Sequence, residues 1–182
     1  MAYNIKDVFY LDVSIGTGTG TGTGTAQLDL SSYIDPIARK GSKAQGLAIY
    51  KVQTSFTQGD NNCVDKAEDG SFRYSLLAGA GFGDTAVGSG PGISADSLGA
   101  GFDLNIAAGD YYGPATADSA ANTQFLNPDK DVPYIVVRDN ACLVLDVDDG
   151  FAADVNVAMR LSCAVVTLDQ STLNQLLRTQ TV

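Results

Sequence analysis

Polar and apolar residues alternate through most of this chain. In DVFYLDVSI, Phe9, Leu11, Val13 and Ile15 fall on one face, and Val8, Tyr10, Asp12 and Ser14 on the other. A period of two predicts a half-buried β-strand. AQLDL carries the alternation on through Leu28 and Leu30. LAIYKVQTSF predicts a longer strand, with Ala48, Tyr50, Val52, Thr54 and Phe56 on one side and Leu47, Ile49, Lys51 and Gln53 on the other. SFRYSLL and FDLNI are shorter candidates, built on Phe72, Tyr74 and Leu76 and on Phe102, Leu104 and Ile106.

The pattern is strongest in the C-terminal third. VPYIVVRDNACLVLDV and AADVNVAMRLSCAVVTL are joined at Asp148-Asp149-Gly150, which predicts a hairpin with Gly150 at the left-handed loop position. In that register Leu143 opposes Val155, Ala141 opposes Val157, Leu145 faces Ala153 and Val137 faces Leu161. Cys142 then meets Asn156, away from Cys163, so no disulfide is expected there. In DQSTLNQLLRTQ the period turns helical, through Leu173, Leu176 and Leu177, with Asp169 or Ser171 as N-cap. Residues 78–101 and 108–133, rich in Gly, Ala, Ser and Pro, read as long loops. The expected fold is all-β: a two-sheet antiparallel β-sandwich, jelly-roll-like, of about eight strands. Residues 1–168 form its single domain, and 169–182 a short C-terminal helix and tail.

One stretch breaks the pattern. Residues 16–25 read GTGTGTGTGT. A dinucleotide fingerprint needs G-x-G-x-x-G between a strand and a helix, and a phosphate loop needs a closing Gly-Lys-Ser/Thr. Here the period is strictly two, a strand follows, and the next lysine is Lys40. In an extended chain Thr17, Thr19, Thr21, Thr23 and Thr25 share one face and bare glycine forms the other. A single threonine row is too small for an ice-binding array. The repeat reads as a long hairpin or strand extension, with glycine permitting close backbone approach. These threonines are the candidate assembly contacts, ordered by another subunit or left mobile.

Composition narrows the chemistry. The chain has 182 residues, long enough to bury a core without staples. Its 45% hydrophobic content suits a globular protein. No apolar run is long enough to span a bilayer. MAYNIKDVFYLDV lacks a basic segment followed by an apolar one, so synthesis in the cytoplasm is expected. The net charge of −10 repels phosphates, which disfavours direct nucleic-acid contact. Histidine and tryptophan are absent, so no Ser–His or Cys–His pair, no imidazole metal ligand and no tryptophan platform for sugars can be built. Cys63, Cys142 and Cys163 form no zinc pattern and read as free, mostly buried thiols.

Three acidic groups have the oxygen-rich character calcium prefers: Asp146, Asp148 and Asp149; Asp60, Asn61, Asn62 and Asp65; and Asp129 with Asp131. The first is the candidate calcium site, although Leu145 and Val147 interrupt the calcium-loop pattern. Aspartate also favours turns for its own reasons. No carboxylate pair is singled out for glycoside hydrolysis, Glu68 being the only glutamate, and no enzyme site or resident cofactor is expected beyond calcium.

In its run of strands, its size and its closing strand VNVAMRLSCAVVTLD, the chain resembles viral single jelly-roll capsid proteins over residues 5–168. The resemblance implies a shell protein that tiles into capsomers, with loops outward and sheet edges meeting neighbours. Its partners would be other copies of itself and other capsid proteins, and its location the virion, after synthesis in the host cytoplasm. Only Lys6 precedes Arg39, so the basic arm of genome-packaging members is missing. A shell separated from the genome by a membrane or another protein layer fits better. The alternatives are a subunit of a non-viral extracellular filament or surface layer, and a monomeric calcium- or carbohydrate-binding β-sandwich module.

Overall fold

The computed structural model describes residues 7–16, 22–35, 43–59, 64, 70–79, 104–113, 121–147 and 151–180. Their strands are β1 (Phe9–Gly16), β2 (Gly22–Asp29), β3 (Ala44–Gln58), β4 (Gly70–Ala78), β5 (Asn105–Gly113), β6 (Ala121–Leu126), β7 (Tyr134–Val136), β8 (Asn140–Val147) and β9 (Val155–Leu168). Helix α1 (Gln170–Thr179) closes the chain. One sheet runs β1-β9-β3-β7 and the other β2-β8-β4-β5-β6, with every ladder antiparallel.

Neighbouring strands are nested. The first pairs with the last, β2 with β8, β3 with β7 and β4 with β5, as if one long hairpin had been wound around the core. This is the strand order of a jelly roll, with β6 added as an extra edge beside β5. The all-β sandwich read from the alternation is what the structure contains. No helix among the described residues is long and apolar enough to cross a membrane.

The alternation fixed the core side of most strands. Val13 is buried, and Phe9, Leu11 and Ile15 pack against the same core. Phe72, Tyr74 and Leu76 project inward from β4, and Val155, Val157, Met159, Leu161 and Cys163 from β9. In β3 the phase changes. A bulge between Ile49 and Lys51 inserts Tyr50 as an extra residue, so Leu47, Ile49 and Val52 all reach the core. Strict period two had put Leu47 and Ile49 on the face away from Val52.

The predicted pairing of the two segments flanking 148–150 does not form, and residues 148–150 themselves lie outside the described residues. β8 pairs with β2 and β4, β9 pairs with β1 and β3, and the two lie in opposite sheets. Leu143 sits opposite Ala26 and Leu76 rather than Val155, and Leu161 opposite Leu11 and Val52 rather than Val137. Two alternating strands satisfy their apolar faces equally well side by side or face to face across a core. β8 is apolar on both sides: Leu143 and Leu145 belong to the main core, while Cys142 and Val144 join Leu77 and Leu104 in a second cluster. The long segment before it also divides, into β7 in one sheet and β8 in the other.

Residues 108–133 are not one loop either. They contain the second half of β5 and all of β6. Their small residues suggested a loop because Gly and Ala carry weak strand signals. In the sheet Gly109 lies beside a large partner, Tyr74. Of the other expected loop, only Ala78 and Gly79 are described, at the end of β4; residues 80–101 lie outside the described residues.

Helix α1 forms where the leucine spacing placed it, with Asp169 as the N-cap. The Thr172 amide and the Ser171 hydroxyl donate to the Asp169 carboxylate at 2.7 and 2.8 Å. The backbone bond from Thr172 is the main reason the Asp169 carboxyl is held below the usual carboxylate range. Leu173 packs into a small separate cluster with Ala44, Val137 and Leu168, and Leu176 and Leu177 lie against it.

Candidate functional site

The Gly-Thr repeat is described only at its two ends. Thr17, Thr19 and Thr21 lie outside the described residues, whereas Gly22–Thr25 form the start of β2. There Gly22 and Gly24 pair with Val147 and Leu145, which face the core, and Thr23 and Thr25 pair with Asp146 and Val144. The glycine side therefore faces inward. A Cβ at Gly24 would lie 2.8 Å from Ile15 Cδ1 of β1 and 3.4 Å from the Gly16 carbonyl. A Cβ at Gly16 would overlap the Asn156 carboxamide. Gly24 thus lets β2 approach β1 closely, and Gly16 leaves room for the Asn156 side chain of β9. The strands at the two ends of the repeat, β1 and β2, lie in different sheets and do not pair as a hairpin.

Of the calcium candidates, Asp146 lies on β8, while Asp148 and Asp149 are outside the described residues. Asp146 is in register with Arg73 of β4, and Arg73 with Asp110 of β5. Arg73 grips Asp110 with two charge-assisted bonds, Nε to Oδ1 at 2.5 Å and Nη2 to Oδ2 at 2.7 Å. Below this row, the Ser75 hydroxyl bonds Asn105, and both residues are buried. The second acidic group, Asp60, Asn61, Asn62 and Asp65, is outside the described residues. In the third, Asp129 is a turn residue: its Oδ1 accepts from the amides of Asp131 and Val132 at 2.7 and 2.8 Å. Among the described residues no three His, Cys, Asp or Glu side chains come together as a metal ligand set.

The outer face of the β1-β9-β3-β7 sheet is open and polar. Tyr10 is 62% exposed, and Asp12, Ser14, Gln53, Ser55, Ala158 and Arg160 are exposed around it. Register aligns Asp12, Arg160 and Gln53 in one row, and Ser14, Ala158 and Ser55 in the next. Together they line a shallow depression of about 520 Å³. Arg160 donates to both oxygens of Asp12, at 2.8 and 3.2 Å, and its guanidinium lies 5.9 Å from the Tyr10 ring centroid. Hydrogen bonding from Arg160 holds the Asp12 carboxyl below its usual range. The ion pair is solvent-exposed and adds little stability.

Chemically, this face offers hydroxyls, one amide and a neutralised ion pair around a methyl floor. Its serines have no imidazole to activate them, because the chain has no histidine. The alternation had placed Asp12 and Ser14 on a polar face; their partners, nearly 150 residues away, left no signal in it. That distance is a sequence separation of 148 for Asp12 and Arg160.

Cys142 and Cys163 are buried thiols, and burial raises their pKa to about 11 and about 12 respectively. Cys63 is outside the described residues. Neither buried thiol forms appreciable thiolate near neutrality. Peptide mapping after alkylation at pH 8 should find Cys142 and Cys163 unmodified in the folded protein and fully modified in denaturant. Rapid labelling of either in the fold would show that its site opens.

No protein-family model matches this chain, and no curated protein matches it in sequence.

Proposed function

We propose that this chain is a self-assembling structural subunit, and specifically the shell protein of a virus capsid, acting through contacts between copies. The observation that carries the reading is the jelly-roll strand order, with β1 beside β9 and β2 beside β8. That architecture serves in virus shells, lectins and cupins. A fold alone does not name a function, so the side chains must choose among these. The lack of histidine and tryptophan weighs against an imidazole metal centre and against a tryptophan sugar platform. The open polar face around Arg160 and the sheet edges supply surfaces for neighbours.

In this reading each contact is modest, and closure of many copies makes the sum large. A charge of −10 per copy sets repulsion against association. Salt or divalent cations should therefore promote assembly by screening it. The same charge keeps the subunit from binding genome directly, so other shell proteins or a membrane would lie between them. The subunit would be made in the host cytoplasm and reside in the virion.

Light scattering across a salt and calcium series, with electron microscopy of the products, tests this. Closed shells or capsomers are the expected products. Open filaments or flat arrays would favour a surface-layer or filament subunit instead. A monomer at every ionic strength, stabilised by calcium, would overturn assembly in favour of a binding module.

A further inference from the structure

The β3–β7 edge of the open sheet is closed by side chains that imitate a paired strand. On one side β7 pairs with β3, Val136 opposite Leu47 and Ile135 opposite Ala48. On its other side the Gln180 carboxamide takes both backbone groups: the Val137 amide donates to Gln180 Oε1 at 3.1 Å, and Gln180 Nε2 donates to the Ile135 carbonyl at 2.6 Å. Alternate residues of a strand point their N–H and C=O groups the same way, so these two are the groups a further strand would use. Arg138 Nε also donates to the Gln180 carbonyl at 2.8 Å. Gln180 is only 2% exposed.

The same device recurs where β7 stops covering β3. The Val52 amide donates to Asn127 Oδ1 and Asn127 Nδ2 donates to the Val52 carbonyl, both at 3.1 Å. The edge thus holds peptide-like amide groups at two successive points. Its chemistry is that of a site for extended backbone.

The Gln180 cap depends on α1. A ten-residue helix is marginal by itself and relies on docking. Its docking cluster, Leu173 with Ala44, Val137 and Leu168, is small and separate from the main core. Such elements open at lower free energy than the core strands.

We propose that the outer edge of β7 is a strand-acceptor site, that Gln180, the C-cap of α1, holds it closed, and that undocking of α1 opens it to an extended segment of a second copy of this chain. The inference builds on the assembly reading by naming one contact. Pairing there would use main-chain hydrogen bonds, the mode by which sheet edges accept added strands. In the monomer the cap keeps that edge from uncontrolled pairing.

The test uses the full chain with Gln180→Leu, which preserves side-chain bulk and removes both hydrogen bonds, and Gln180→Glu, which keeps the acceptor and loses the donor. Hydrogen exchange at Val137 is read together with mass by light scattering over a concentration series. The expected result for Gln180→Leu is exchange faster by about tenfold or more at low concentration, the scale of losing a buried hydrogen bond. With rising concentration, mass should increase and Val137 protection should return. Gln180→Glu should fall between Gln180→Leu and wild type. Faster exchange with no rise in mass, or aggregation without renewed protection, would overturn the proposal. So would unchanged exchange in Gln180→Leu. If wild type and Gln180→Leu assemble identically in salt, this edge is not the contact, although the assembly reading survives. If Gln180→Leu pairs through Val137 while wild type stays monomeric in every salt, the acceptor site stands and the capsid reading falls.

Discussion

Phe72→Ala is expected to destabilise the protein by about 3–5 kcal/mol, the range for deleting a fully packed aromatic side chain. Phe72 is 3% exposed and sits between the two sheets. Its ring stacks on Tyr111 of β5 at 4.9 Å with planes 10° apart, and meets Phe56 of β3 edge-on at 5.1 Å. Phe151 lies 5.9 Å away on the segment entering β9. One ring therefore ties β3, β4, β5 and the crossing into β9 to a common centre. A domain is typically stable by only about 5–15 kcal/mol, so this single truncation removes a large share. Urea denaturation should show a much lower midpoint with an unchanged slope. Phe72→Leu should fall between the two, because it keeps much of the apolar volume and loses ring contacts worth about 0.5–1.5 kcal/mol. A loss below about 1 kcal/mol for Phe72→Ala would mean that this cluster does not hold the sheets together.

Gly24→Val should destabilise by about 1–3 kcal/mol, the usual penalty for forcing extra carbons into a packed site. The first carbon is tolerable: its nearest neighbour is the terminal methyl of Ile15, which can turn aside. Gly24→Ala should therefore be mild. The γ-carbons of valine then press on Ile15 and on the Gly16 carbonyl, where β2 lies against β1. Thr25→Val is the control one residue along. Thr25 pairs with Val144 on the opposite side of the sheet, and valine matches its shape and strand preference, so a change within about 0.5 kcal/mol is expected. Equal effects at the two positions would show that the glycine face of the repeat is not facing the packed side.

These two experiments probe different kinds of information. The Phe72 cluster was visible in the chain, because Phe72, Tyr74 and Leu76 recur at every second position and such a pattern has one solution, a strand with that face buried. The reason for Gly24 was not visible. Its constraint comes from Ile15, in a strand of the other sheet, and nothing in ten alternating small residues says which side will meet a neighbour. The same limit explains the calcium candidates. Asp129 was legible as a turn residue, whereas the alignment of Asp146 with Arg73, and of Arg73 with Asp110, needs three strands brought together by long-range pairing.

By itself the sequence determined that the chain is built of strands, which face of β1, β4 and β9 is apolar, where α1 begins, and that imidazole chemistry is excluded. Each follows from local spacing or from composition, and no distant residue is needed to decide it. Tertiary structure alone decided that β8 and β9 belong to opposite sheets, that Tyr50 is bulged so that Leu47 and Ile49 turn inward, that Arg160 meets Asp12, and that Gln180 closes the edge of β7. Alternation specifies the side of a strand that must leave water. It carries no label for the partner, because every strand of the same period offers the same backbone groups, and only the simultaneous packing of both sheets selects among them.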